Sequence, residues 1–276
     1  MKKIASLLVV LALLFAQSKL AGAQGTTEPA SPRDRFYDRV SPTEREIIPY
    51  DHIRESDVFM EKRIWRVIDS REKINLPFKY EGIDWKDMHP LITIFNTAIK
   101  EGAVVYDDEY FKIPLTTEAF NKKTNSIDTI AQYDFDGNYT KDTIVQNEFD
   151  PGSVKKFRVK EDWFFDKETS TLQVRILGIA PIYTDPDAGE LPLFWVYYPD
   201  FRKILVKQDC FNPKNDAIRM SWDDIFEGRL FGSYIIKESN VLDRRIQDYF
   251  SGVDALMESE RIKQDMFEWE HDLWSL

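Results

Sequence analysis

The sequence predicts an α+β fold: a mixed or antiparallel sheet built around a central hairpin and packed by helices, with a further helix at the C-terminus. The hairpin is predicted by residues 157–179, where two runs of alternating apolar and polar residues flank a short turn. The helices are predicted by residues 56–69, 89–102 and 253–276, where apolar residues recur at intervals of three and four.

The N-terminus has the features of a secretory signal peptide over residues 1–23. Lys2 and Lys3 precede an apolar run at 4–15, and the small residues at 21–23 form a cleavage site. The run is too short to span a bilayer about 30 Å thick, and no cysteine near the cleavage site offers a lipid attachment point. We therefore expect an exported protein without a membrane anchor of its own.

Three further regions are expected after the signal peptide. Residues 24–50 are polar and contain four prolines, which favours an extended arm. Residues 51–252 are expected to form the α+β core, and residues 253–276 a separate amphipathic helix.

Within the core, the first predicted helix occupies residues 56–69, with Ser56 as its N-cap. The second occupies 89–102 and ends at Gly102. Residues 121–152 are the most polar internal stretch, and the alternating runs within it predict a long hairpin. Shorter patterns predict strands at 103–106, 110–113, 193–198 and 234–236. They also predict four helical segments: one that begins near 116, one at 201–205, one that follows a capping box at Ser221 and Asp224, and one at 242–250.

The central hairpin has the clearest pattern in the chain. On its first arm every second residue is large and apolar, apart from Glu161: Phe157, Val159, Trp163 and Phe165. On its second arm apolar and polar residues alternate: Leu172, Gln173, Val174, Arg175 and Ile176. Residues 166–170 supply the turn, and Gly178 and Pro181 are expected to end the second strand.

The C-terminal helix carries one apolar stripe, at Ile262, Met266, Trp269 and Leu273. Phe267 and Trp274 lie off this stripe and add apolar surface. Two interpretations remain open from the sequence. The stripe packs against the protein's own core, or it is kept for a partner, which the two tryptophans favour because tryptophan is enriched at interface hot spots.

Charge and cysteine content restrict the partners. The formal net charge is −11, and removing the three lysines of the signal peptide gives −11 − 3 = −14. Such a charge argues against nucleic acid or an anionic lipid surface as a partner.

Cys210 is the only cysteine, so no internal disulfide is possible. Its thiol is expected to be buried and inert, with a redox or intermolecular role as the alternative.

No catalytic, cofactor or metal site is predicted. The three histidines have no metal-ligand spacing: His52, His89 and His271. Residues 134–138 imitate the start of a calcium loop, but Tyr139 and Val145 stand where Gly and Glu are needed. The 48 acidic residues single out no catalytic pair. A polysaccharide-binding or glycoside-hydrolysing protein therefore remains the alternative function.

Several ordered blocks resemble the GldN/PorN family of the Bacteroidetes type IX secretion and gliding-motility machinery. The blocks are PYDHIR at 49–54, KRIWRVID at 62–69, REKIN at 71–75, WFFDK at 163–167, RILGIAP at 175–181, FWVYY at 194–198 and SWDDIF at 221–226. The resemblance implies a non-catalytic structural subunit in the periplasm, held at the outer membrane by a partner. It implies a ring formed with the lipoprotein GldK/PorK and a link to the inner-membrane-anchored GldM/PorM.

Candidate interface and modification residues complete the sequence predictions. The expected interface regions are the arm at 24–49, the hairpin face bearing Phe164 and Arg175, and the C-terminal helix bearing Met266, Trp269 and Trp274. Two Asp-Thr-Ile triplets resemble the O-glycosylation acceptor of Bacteroidetes, which makes Thr129 and Thr143 candidate acceptors.

Overall fold

The computed structural model describes residues 41–82, 88–124, 126–133, 139–147, 150–185, 189–212, 215 and 219–274. The side chains of 124–149, Asp185 and Trp274 are not described. The predicted signal peptide, the arm up to residue 40 and the calcium-like residues 134–138 lie outside this part of the chain.

The strands, in chain order, are β1 Val58–Asp69, β2 Val105–Tyr106, β3 Pro114–Leu115, β4 Ser126–Tyr133, β5 Tyr139–Asn147, β6 Lys156–Asp166, β7 Thr171–Asp185, β8 Gly189–Pro192, β9 Val196–Tyr197, β10 Asp209–Cys210, β11 Met220–Ser221 and β12 Tyr234–Glu238. Six of them form one sheet in the order β12-β1-β6-β7-β8, with β9 paired to β7. Every pairing in this sheet is antiparallel. The predicted α+β fold class is confirmed. Of the two predicted kinds of sheet, mixed or antiparallel, the antiparallel one is observed.

The helices are α1 Leu91–Lys100, α2 Thr117–Thr124, α3 Tyr198–Leu205, α4 Trp222–Glu227 and α5 Val253–Trp274. The prediction for α1 is confirmed, and Gly102 follows it with φ at 101°. The capping box at the start of α4 is also confirmed, because the Ser221 and Asp224 side chains each accept from the other residue's backbone N–H. The predicted helix at 242–250 is wrong, since only Ile246–Asp248 forms a short 3₁₀ turn.

The predicted central hairpin is confirmed as β6 and β7, which pair from Asp166 and Thr171 at the turn. The predicted end of the second strand is wrong, because β7 continues past Gly178 and Pro181. Pro181 lacks a backbone N–H, but its carbonyl oxygen still accepts a hydrogen bond from the Leu193 backbone N–H at 2.9 Å. The long hairpin predicted at 121–152 is confirmed by the pairing of β4 with β5.

The predicted helix at 56–69 is wrong, because these residues form β1. Ile64, Val67 and Ile68 imitate a helical stripe, yet the strand lies between β6 and β12, and its second half, from Ile64 to Asp69, is buried on both faces. A strand buried on both faces carries an almost continuous apolar run, which periodicity alone does not distinguish from a helix.

The two faces of the large sheet have different surroundings. The helix face carries Phe157 and Val159, which pack in the main core with α1, α3 and α4. At the other end of the same face of the sheet, Ile64 and Trp163 pack against α5. The outer face carries a smaller cluster of Trp65, Ala180 and Trp195, with Tyr106 and Phe111 packed against it.

Candidate interaction surface

The chain before β1 lies against the core as a strap, residues 45–57. The Arg45 guanidinium forms an ion pair with Asp209 at 2.7 Å. Further along, the Ile48 carbonyl oxygen accepts a hydrogen bond from Arg202 Nη1 at 3.0 Å. The strap therefore covers part of the core with side-chain contacts that a free arm would lack.

The strap places the Tyr50 ring beside two guanidinium groups. Arg202 lies 4.3 Å and Arg175 4.7 Å from the centre of the Tyr50 ring. Arg175 also lies 5.5 Å from the Phe164 ring and donates from Nη2 to the Asp51 carbonyl oxygen at 2.7 Å. The structure thus brings the two predicted hairpin residues together. Phe164 itself is only 5% exposed.

Arg202 belongs to a clamp formed by Tyr50, Tyr198, Arg202, Asp223 and Glu227, of which Tyr198, Arg202 and Asp223 are buried. Both oxygens of Asp223 accept from Arg202, at 2.9 and 3.1 Å, and one also accepts from the Tyr198 hydroxyl at 2.8 Å. The Tyr50 hydroxyl donates to Glu227. Burial, then the nearby carboxylates, raises the pKa of Tyr198 and of Tyr50. Burial lowers the pKa of Arg202, but its hydrogen bond to Asp223, together with the nearby Tyr50, Asp223 and Glu227, outweighs this and raises the pKa. Arg202 therefore keeps its positive charge near neutral pH.

On the opposite side of the hairpin, α5 contributes to an aromatic edge formed by Phe59, Phe165 and Trp269. Trp269 stacks on Phe59 at 5.8 Å between ring centres and meets Phe165 edge-on at 5.7 Å. Phe59 remains 55% exposed. Met266, by contrast, is only 2% exposed and packs with the chain's own core. Of the two interpretations of the α5 stripe, packing on the protein's own body is the one observed.

The candidate interface residues therefore do not form one surface. Neighbouring residues of a strand project to opposite faces, so Phe164 faces the strap while Phe165 faces α5. The side chains of Trp274, Thr129 and Thr143 lie outside the described part. Both threonines have their backbones in the β4–β5 pair. Their roles in contact and glycosylation remain predictions.

Sequence reasoning missed a second apolar stripe at the start of α5, here called the exposed turn: Val253, Leu256 and Met257. Their side chains are 71%, 54% and 66% exposed, and their spacing places them on one side of the helix. The residues were visible in the sequence at helical spacing. The pattern alone could not show which of the two stripes packs against the core.

Glu161, the exception in the hairpin pattern, is completely buried on the helix face. Arg229 Nη2 lies 3.1 Å from each of its oxygens, and the Trp163 Nε1–H donates to it at 2.9 Å. Charge pairing of this kind offsets the cost of burying a carboxylate. Glu161 is therefore held in a structural ion pair.

Among the described residues, the cysteine is buried and the histidines and carboxylates are not gathered into a metal-binding group. Cys210 is 2% exposed, and burial raises the pKa of its thiol to about 12, which confirms the buried-thiol prediction. In the described ranges, His, Cys, Asp and Glu form no group of three arranged to hold a metal ion. None of the five described helices has the length and apolarity to cross a bilayer.

The fold and these surfaces define an α+β domain with a strapped sheet and exposed apolar groups at its margin. A family model described as "Gliding motility associated protein GldN" matches residues 53–275, and the chain belongs to this family. The predicted family resemblance is thereby confirmed. The protein is a component of the gliding-motility and type IX secretion machinery, and its family is not a known enzyme family. No curated protein matches the chain.

Proposed function

We propose that the protein is a non-catalytic structural subunit of the type IX secretion core. It acts in the periplasm, where it forms a ring with the lipoprotein GldK/PorK and links this ring to GldM/PorM. The lipoprotein attaches it to the outer membrane. The supporting observation is the family match, which spans nearly the whole described unit, from the strap to α5. The predicted signal peptide supports the periplasmic location.

The exposed turn of α5 is the best-supported contact surface for this role. Three apolar side chains on adjacent turns are at least half exposed there, while the next apolar positions of the helix, Ile262 and Met266, are buried. Grouped apolar side chains of this kind mark protein contacts. The aromatic edge, with Phe59 and Trp269, offers a second contact.

Capture of the lipoprotein from cell envelopes tests the proposal. Leu256→Asp adds a charge to a side chain that is 54% exposed, and Val104→Asp is the matched control at 56%. We expect both variants to fold, and Leu256→Asp to reduce recovery of the lipoprotein at least about tenfold, because a charge would be desolvated in the contact.

Equal recovery by both variants would remove the exposed turn from the interface. If the wild-type protein captured neither the lipoprotein nor the motor-linked subunit, the structural role itself would be wrong. Turnover of a glycan by the pure protein would favour the alternative function instead.

A further inference from the structure

A polar groove crosses the outer face of the large sheet. It consists of two adjoining cavities, of about 500 and 340 Å³, which share three lining residues: Arg158, Ile236 and Arg245. Trp65 and Trp195 provide apolar walls in the larger cavity. The groove is unrelated to the strap and to α5, and the secretion role assigns it no function.

Arg158 is the unusual residue in this groove. It is 8% exposed, and its side chain forms no hydrogen bond or ion pair with any residue that the structure describes. Its Nε atom is fully buried without an acceptor. Burial lowers the pKa of Arg158 and the positive charge of Arg245 adds to this, while Glu109 and Glu190 partly oppose it. A largely buried guanidinium whose Nε has no acceptor is unfavourable, because the hydrogen bond that its Nε–H would make with water is not replaced by one within the protein.

The other cations that the strands carry on this side of the sheet each have a partner. Arg63 pairs with Asp162 at 2.6 Å. The Lys160 ammonium donates to the Glu109 carbonyl oxygen at 2.7 Å. The remaining two lysines form ion pairs with carboxylates of neighbouring segments: Lys156 with Glu190, and Lys237 with Asp243. Arg158 is thus left with positive charge that an external group can neutralise.

The loop that carries Arg245 over the groove is held in a defined shape. The Asn240 side chain donates to the Arg244 carbonyl oxygen and accepts from the Arg244 N–H, both at 2.9 Å. The ion pair between Lys237 and Asp243 fixes the same loop to β12. Arg245 is therefore positioned as a second cation beside Arg158.

The rim of the groove selects among anions. Several carboxylates line the two cavities, and they repel a doubly charged phosphate more strongly than a single carboxylate: Asp107, Glu109, Glu190, Asp243 and Asp248. A single carboxylate carries less charge and matches the planar fork of an arginine. The two tryptophan walls suit the apolar atoms of an adjoining polypeptide.

We propose that this groove binds one carboxylate of an acidic polypeptide segment from a partner protein, with Arg158 as its counter-ion and Arg245 as the second contact. The carboxylate belongs to an Asp or Glu side chain or to a chain terminus. The site stands on its own geometry and does not depend on the ring role proposed above.

Calorimetric titration of the full mature chain with small peptides tests the site. The probes are a blocked pentapeptide with one central Asp, the same peptide with Asn, an unblocked triglycine with a free C-terminus, and inorganic phosphate. We expect the Asp peptide or the free C-terminus to bind at least about tenfold more tightly than the Asn peptide, and the better of the two identifies the source of the carboxylate.

Three variants separate binding from folding. Arg158→Lys keeps the charge but loses the fork, so we expect weaker carboxylate binding, and Arg158→Met should abolish it. Arg261→Gln is the control, because Arg261 is an exposed arginine of α5 paired with Glu258. Without peptide, Arg158→Met should have an unchanged or higher melting temperature, because it removes an unpaired buried charge.

The proposal is overturned by any of three results. These are equal affinity for the Asp and Asn peptides together with no binding of triglycine, tighter binding of phosphate than of either carboxylate, and unchanged binding by Arg158→Met. A marked fall in the melting temperature of Arg158→Met would also contradict it, since that result would assign Arg158 a structural role.

Discussion

Replacing Asp223 with Asn tests the clamp most directly. The change keeps the shape of the side chain but removes the charge that neutralises Arg202, whose side chain is 5% exposed. Removing one partner of a buried pair costs about 3–5 kcal/mol, because the other charge is left uncompensated. Glu227 lies 3.6 Å from Arg202 and retains part of the attraction. We therefore expect Asp223→Asn to lower the free energy of unfolding by an amount near the lower limit of this range, about 3 kcal/mol.

The assay is urea unfolding at pH 7, monitored by tryptophan fluorescence. The dependence of the unfolding free energy on urea concentration is compared between variants, because a change in this slope would show that the variant unfolds differently. Asp265→Asn is the matched control, because it removes an aspartate that pairs with Arg261, and both side chains are at least half exposed. An exposed pair contributes at most about 1 kcal/mol. If Asp223→Asn cost no more free energy of unfolding than Asp265→Asn, the clamp would not stabilise the fold.

Three further predictions follow from buried or hydrogen-bonded side chains. Met266→Ala should lower the free energy of unfolding by about 2–4 kcal/mol in the same urea assay, because it leaves a cavity beneath α5; a loss below about 1 kcal/mol would contradict the packing of this helix. The Glu168 backbone N–H and then the Thr169 hydroxyl hold the pKa of Asp166 below its usual value. The folded state thus favours the carboxylate, and its stabilisation is lost as the pH falls below about 4, through the folded pKa. Asp166→Asn should therefore reduce the dependence of stability on pH in that range, and an unchanged slope would refute the assignment. Cys210 should react with iodoacetamide at pH 8 at least about 100-fold more slowly in the folded than in the unfolded protein, and comparable rates would show an accessible thiol.

Local sequence patterns predicted the elements whose stability depends on near neighbours. The central hairpin, α1 and the capping box of α4 were all correct, because alternation, helical spacing and capping act over a few residues. The helix predicted at 56–69 failed because β1 takes both of its partners, β6 and β12, from about 100 or more residues away. Those pairings override the local preference.

The candidate surfaces depended still more on distant contacts. The sequence identified Phe164 and Arg175 as notable residues, but it could not show that Arg175 contacts both the Phe164 ring and the Tyr50 ring of the strap. Likewise, both apolar stripes of α5 were visible, while the choice of Ile262 and Met266 for the core depends on Trp163 and Ile235 of the sheet.

Family membership, the antiparallel hairpin and the expectation of export could all be read from the order of residues along the chain. The unpaired charge of Arg158 could not, because Arg63, Lys156 and Lys237 find their carboxylate partners in other segments while Arg158 finds none in the described part of the chain. Whether a buried charge is paired is decided by which segments meet in three dimensions, and that is settled only when the whole sheet is assembled.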